Sequence, residues 1–570
     1  MAQGALPFQY EAETAASGVT ALGGLPVYLD LIKASGLDVA IRKHVRVAGE
    51  QGWLDLQMIV GLIVLNLAGG DGLEDLERLE QDAGFAQLMR EVERGLLLRA
   101  ERRALRARWR RPRRRAVPSP SAMADWLARF HDAAAGQPRP PGTAIIPEMA
   151  EPIRALCQVN RALLGFLQTH RRAPVATLDM DATLIETHKR EALPCYKGFK
   201  AYQPLNCWWA EQGVVLHSEF RDGNVPAGYQ QLRVLKDCLA TAAAVGVTKV
   251  YLRSDSAGYQ QDLLLYCGEG KDARFGVIEF AVSADVTEEF RRAVRAVAEA
   301  DWQPLYRTVE GEHYRTDQEF AEVCFVPNWA GHSRKRADYR FLAIREPLRQ
   351  LDLDDAAQLP FPTEEFAASF KLFGIVTNRT LPGDQVIWWL RERCGKSEEV
   401  HAVMKTDLAG GRMPSGLFGA NAAWIMILAH NLNAVMKRLV LGPAWVARRM
   451  KALRFSLINL PGRIIRHGRR LIIRVAGETL VLLLAAPSLP WRRADNAPPP
   501  VPTPLMIHRL QRQQSRRLPQ GQPLLCDWCR PHRPAKRAAG HHTASQCRSY
   551  VLRRPKTESP ITLPRYRCQP

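Results

Sequence analysis

The run from Pro174 to Ile185 constrains this chain more than any other stretch. Apolar residues dominate it, and two carboxylates, Asp179 and Asp181, break it at alternate positions. Side chains two apart on a strand share a face, so both acids point the same way. A buried strand carries carboxylates only at a cost, unless a cation, a donor network or a metal meets them. The run therefore reads as a strand that leads into a site.

Composition narrows the kind of site. The chain has 570 residues, with 79 Lys and Arg against 58 Asp and Glu, a formal net charge of +21. Such clustered excess points to an anionic polymer, most simply nucleic acid. Hydrophobic residues make up 46%, enough for folded cores in most of the length. Of eleven cysteines only Cys526 and Cys529 are closely spaced, which suits a reducing compartment rather than a disulfide framework. Met1 to Glu13 lacks a signal pattern, and apolar runs such as Met58 to Leu67 are too short to span a bilayer. The expectation is a cytoplasmic, nucleoid-associated protein with no membrane partner.

The chain divides into five segments. Residues 1–147 read as a helical DNA-binding region with an Arg-rich linker: amphipathic stretches at Leu22 to Ser35 and at Leu54 to Leu67, the second closed by Gly69-Gly70, a helix start at Gly72, and an arginine run from Arg99 to Arg115. That run reads as a solvated linker, a phosphate-tracking arm, or both. Pro118-Ser119-Pro120-Ser121 follows it and precedes a helix read from Ala122 to Ala133, with serine as a good N-cap. Residues 148–276 turn α/β: the Asp181 strand, a hairpin from Pro204 to Phe220, a helix from Tyr229 to Val245 closed by Gly246, and a strand from Val247 to Asp255. Three strands, a helix, then a strand ending in Asp is the order of a ribonuclease H-like mixed sheet. Residues 277–380 read as a β-rich insertion, with Trp302 and Trp329 expected in its packing. Residues 381–485 return to the core with helices and a hairpin, beginning with one long helix from Gly383 to Thr406. Residues 486–570 form a Pro/Arg-rich tail without helix or strand period. A zinc site from Cys526, Cys529, His532, His541, His542 and Cys547 is conceivable there, though the second half lacks paired spacing.

Phosphodiester chemistry needs charge stabilised at phosphorus and two activated oxygens, which a pair of divalent ions can supply. Mg²⁺, or Mn²⁺ in its place, prefers oxygen donors, so such sites are built from Asp and Glu. Asp181 on the first strand, Asp255 at the end of a later one and Glu398 on a helix after the insertion are the candidates for catalysis and metal binding. Asp179 rivals Asp181, Glu399 rivals Glu398, and Asp255 has the competing role of capping a helix at Ser256.

Asp181-Ala182-Thr183, Ser254-Asp255-Ser256, and Glu398 followed by Lys405 resemble the signature of DDE transposases of bacterial insertion sequences, whose ribonuclease H-like core is split by a β-rich insertion. Pro414-Ser415-Gly416, Asn421 and Asn431-Leu432 are similar to the stretch after the glutamate in that family. The resemblance covers about residues 15–480. It implies two divalent metals, cleavage at the element's terminal inverted repeats, transfer of the freed 3′-hydroxyl to target double-stranded DNA, and a homodimer on paired ends. Lys405 and Arg393 are the implied DNA contacts. The family's aromatic–Arg–Glu spacing falls on Arg391 and Cys394, with Trp389 and Arg393 near but out of register. A nuclease of the same fold and a decayed, non-catalytic DNA-binding protein are the alternatives.

Overall fold

The acid-bearing run is a strand, β1 (Val175–Ala182), within a nine-stranded mixed sheet. The computed structural model describes residues 18–132, 142–327, 339–347, 370–424, 427–468 and 470–476. The tail with its cysteines and histidines, Trp329, and part of the Gly136 to Pro147 linker lie outside the described residues.

Eight more strands complete the sheet: β2 (Leu205–Trp209), β3 (Val214–Glu219), β4 (Lys249–Ser254), β5 (Glu279–Ala284), β6 (Gln303–Val309), β7 (Glu312–Val323), β8 (Arg340–Pro347) and β9 (Phe370–Thr377). Their spatial order is β6-β7-β8-β9-β5-β4-β1-β2-β3. From β3 through β2 to β1 the pairing is antiparallel, and from β1 through β4 to β5 it is parallel. The parallel stretch is buried, as parallel strands must be: Leu178, Leu252 and Phe280 are fully enclosed.

Two helices cover this part of the sheet. Helix α1 (Glu151–His170) buries Leu156, Val159, Leu163, Leu164 and Leu167, a helical stripe of spacing three and four. Helix α2 (Gln231–Ala244) buries Val234, Leu235, Cys238, Leu239 and Ala242, and Gly246 takes a left-handed φ of 86° just beyond it. The expected helix and its glycine stop are both present.

The segment read as an insertion, 277–380, supplies β5 as well as β6 to β9: β5 pairs parallel with β4, and β9 pairs antiparallel with β5, so all five belong to the same sheet as β1. Strand β6 shows no signal in the sequence for a physical reason. It is an edge strand with mostly exposed positions, so it lacks alternation of apolar and polar residues. Trp302 is buried, with the Arg345 guanidinium 4.2 Å from its ring centre.

The amino-terminal helices share the main hydrophobic core with the rest. Asp55–Ala68 is the most enclosed of them, and it ends at Gly69 as expected, in the left-handed conformation at φ 98°. Asn66 donates to the Leu408 carbonyl at 2.9 Å, and Arg454 donates to the Leu67 carbonyl at 2.9 Å. Ser119 caps Pro120–Ala128 by accepting from Ala122 N–H.

The arginine run is partly pinned rather than wholly solvated. Arg113 pairs with Glu93 at 2.6 Å and lies 4.6 Å from the centre of Trp53, and Arg115 pairs with Glu77 at 2.9 Å. Arg108 donates from Nε to the Gly52 carbonyl at 3.0 Å, and Arg99, Arg102, Arg103, Arg106, Arg110, Arg111 and Arg114, all exposed, carry the run's remaining charge. Among the described residues no single helix is long and apolar enough to cross a membrane. Asp55–Ala68 and Leu73–Gln81 pass that test only together, across a 96° bend.

Candidate active site

Strand pairing places two of the three candidate acids. Along the parallel pair β1 and β4, Asp179 is opposite Arg253 and Met180 is opposite Ser254. The next residues on the two strands are Asp181 and Asp255. They therefore stand as neighbours at the carboxyl ends of adjacent parallel strands, which lie about 4.8 Å apart. This edge is where open α/β sheets place their ligands.

The same register gives Asp179 a partner. The Arg253 guanidinium forks onto it, Nε to Oδ1 at 2.6 Å and Nη2 to Oδ2 at 2.9 Å. Arg253 also donates from Nη1 to the Trp389 carbonyl at 2.7 Å and to Glu392 at 2.9 Å. Both Asp179 and Arg253 are nearly inaccessible, so this is a buried, two-pronged ion pair. The two acids on one strand face thus have different surroundings: Asp179 is held by a structural cation, and Asp181 is half-buried at the rim.

Asp255 does cap the short turn Ser256–Gly258, with Oδ1 accepting from Ala257 N–H at 3.1 Å. Capping orients Asp255 without excluding a second role for its other carboxylate oxygen.

Glu398 arrives from the other side of the insertion. The long helix expected from Gly383 to Thr406 is instead three pieces: α3 (Gly383–Arg391), α4 (Lys396–Ala402) and a wider π turn over Val403–Asp407. Gly395 makes the break, at φ 76°, a conformation that glycine adopts without strain. Arg393 therefore sits in the turn between helices. Its guanidinium is buried and lies 3.6 Å from Asp181 Oδ2. Glu398 lies in the first turn of α4 and is exposed; Glu399 is near Lys437.

Electrostatics tie the three acids together. Burial pushes the Asp181 carboxyl up to about 6; Arg393 pulls it down, while Asp255 and Glu398 both push it further up. Both are thus close enough to repel it. Among the described residues no three His, Cys, Asp or Glu side chains close tightly enough to grip one ion as placed, so the acids are neighbours rather than a finished cage.

His401 is the site residue that sequence reasoning missed. It is three residues after Glu398, hence on the same helix face, and its Nδ1 is 3.9 Å from Asp181 Oδ2. Burial, with help from Lys405 and Arg393, brings its pKa down to about 4, so the ring is neutral at pH 7. The Glu-x-x-His spacing was the available signal. Lys405, in the π turn, donates to the Leu184 carbonyl at 3.3 Å, and burial lowers its pKa. It thereby borders the loop after Asp181.

The residues beyond the glutamate have definite jobs. Asn421 bridges Ser415, accepting from its N–H at 3.1 Å and donating to its carbonyl at 3.0 Å. Asn431 donates to Asn160 at 2.7 Å and to the Val215 carbonyl at 2.8 Å, which locks helix Leu428–Val435 to α1 and β3.

A family profile described as transposase DDE domain, group 1, matches residues 11–481. No curated protein matches the chain. Among solved structures, a piggyBac transposase synaptic complex with hairpin DNA is similar at 10% identity and a TM-score of 0.32, covering 88% of this chain and 86% of that one.

Proposed function

Because this chain belongs to the transposase DDE family, we propose that it cuts the terminal inverted repeats of a bacterial insertion sequence and joins the freed 3′-hydroxyl strand to target DNA. The observation that carries this reading is the register that sets Asp181 beside Asp255, with Glu398 near enough to raise the same carboxyl. The strand order β3-β2-β1-β4-β5, antiparallel up to β1 and parallel beyond it, supports a ribonuclease H-like core.

Asp181, Asp255 and Glu398 offer only oxygen donors, and Asp255 and Glu398 both repel the Asp181 carboxylate, so the set fits hard divalent cations such as Mg²⁺ or Mn²⁺. Bound there, two such ions would stabilise charge on the phosphoryl group and activate the attacking and leaving oxygens. The protein's own groups hold this arrangement. Arg253 keeps Asp179 out of the site, the turn at Ser256 orients Asp255, and Arg393 steadies Asp181. Lys405 adds positive charge at the loop that follows Asp181, where it would meet a DNA phosphate. A homodimer holding paired ends, in the cytoplasm on the nucleoid, completes the proposal.

The test uses purified full-length protein, Mg²⁺ and duplexes carrying the element's terminal repeats. The reading expects cleavage at the repeat boundary, and joining when pre-cut ends are supplied with target DNA. Cleavage without joining would make it a nuclease of this fold, and binding without either reaction would make it a non-catalytic DNA-binding protein.

A further inference from the structure

The chain leaves β1 into a small three-stranded sheet before it returns as β2. Ile185–Glu186 pairs with Ala201 and Tyr202, and Leu193–Pro194 pairs with Lys200 and Ala201. At its tip, Cys195 donates to the Phe199 carbonyl at 2.8 Å, and Gly198, at φ 87°, donates to the Cys195 carbonyl at 2.9 Å. Tyr196 sits on this turn and is 77% exposed. Among the described aromatic residues only Phe455, at 86%, is more exposed.

Three features set this tip apart from a stray surface tyrosine. Its surroundings are cationic: Lys189, Arg190, Lys197 and Lys200 lie on the same segment, and Lys197 Nζ is 5.8 Å from the Tyr196 ring centre. Its base is anchored, because Glu191 accepts from Phe418 N–H at 2.9 Å and Ala192, Cys195, Ala201 and Tyr202 are buried. It also grows from the end of the strand that carries Asp181, and Lys405 holds its first residues through the Leu184 carbonyl. An exposed aromatic ring on an anchored turn, among cations, is the chemistry of a stacking platform for a nucleic-acid base, with phosphates held alongside.

We propose that this hairpin binds unpaired DNA next to the reacting phosphate, with the Tyr196 ring stacked on a base. The inference rests on the transposase reading and extends it to a contact outside the acidic centre. The ring does the stacking; the hydroxyl is dispensable.

The experiment measures affinity for two pre-cut element ends, one with a short single-stranded flank and one trimmed flush. Tyr196→Ala should bind the flanked end about tenfold more weakly than wild type, and the flush end equally well. Tyr196→Phe should match wild type on both ends. So should Tyr314→Ala, which removes another exposed tyrosine, on β7. The same melting temperature in all variants would exclude misfolding, as expected for so exposed a side chain. The proposal is overturned if Tyr196→Ala binds the flanked end like wild type, or if Tyr196→Phe falls with it, while end cleavage still works. If the wild type binds neither end, the transposase reading and the hairpin proposal fail together.

Discussion

Asp181 and Asp255 each lie one residue beyond the Met180–Ser254 pair of two parallel strands. One step earlier in the same register, Asp179 meets Arg253. A single strand pairing thus makes one acid–cation couple and one acid–acid couple. The first is closed and structural; the second is open, and its members repel each other.

Asp179→Ala should destabilise the fold by about 3–5 kcal/mol, because it leaves Arg253 charged and buried without its main partner. Asp181→Asn should cost far less, since Asp181 is half-buried and its charge is opposed by two other acids. Urea denaturation of the two variants checks the contrast, and a double change of Asp179 and Arg253 to apolar residues should recover part of the loss.

His430 gives a pH signature. It is buried, its ring 5.6 Å from that of Trp208, and burial, with Lys437 and Arg438 nearby, lowers its pKa to about 3. The unfolded chain therefore takes up a proton near pH 6.5 that the native state refuses. This group's contribution is intact above pH 6.5 and is lost as pH falls toward 3, by about 1.4 kcal/mol per unit. Between pH 7 and pH 5 the wild type should lose about 2 kcal/mol more than His430→Leu, measured by denaturation at each pH.

The arginine run should divide by function. Arg113→Ala should lower stability by about 1–3 kcal/mol, since it breaks the Glu93 pair and uncovers Trp53. Arg110→Ala and Arg111→Ala, both at exposed positions, should leave stability unchanged. They should weaken DNA binding and reduce its salt slope by about 0.9 for each phosphate no longer neutralised. Melting curves and salt titrations separate the two outcomes.

Much of the fold is legible in the sequence. The alternation of Asp179 and Asp181 marks a site, Gly69 and Gly246 mark helix ends that the structure contains, and the serine stretch before Ala122 marks a helix start that the structure sets two residues earlier, at Pro120. The hidden part depends on partners distant in sequence. Nothing local says that Arg253 will meet Asp179, so the residues alone leave open the choice between two acids on one strand face. The helix from Gly383 reads as continuous because its apolar period runs on past Gly395. Only the left-handed turn there explains why Arg393, rather than Arg391 or Cys394, faces Asp181. His401 carries only the Glu-x-x-His spacing as a signal, and a histidine three residues after a glutamate on a helix is ordinary until its neighbours are known. Edge strand β6 has no apolar face to betray it.

The most direct test of the central claim is the melting temperature of the full chain titrated with Mg²⁺ and Mn²⁺, with cleavage of element ends followed in the same samples. If Asp181, Asp255 and Glu398 share divalent ions, the ions raise the wild-type melting temperature and support cleavage. Asp181→Asn, Asp255→Asn and Glu398→Gln should each lose the thermal shift and at least about a hundredfold of the cleavage rate while still binding DNA. A wild-type shift that persists undiminished in all three variants, or cleavage that survives them, would contradict the account.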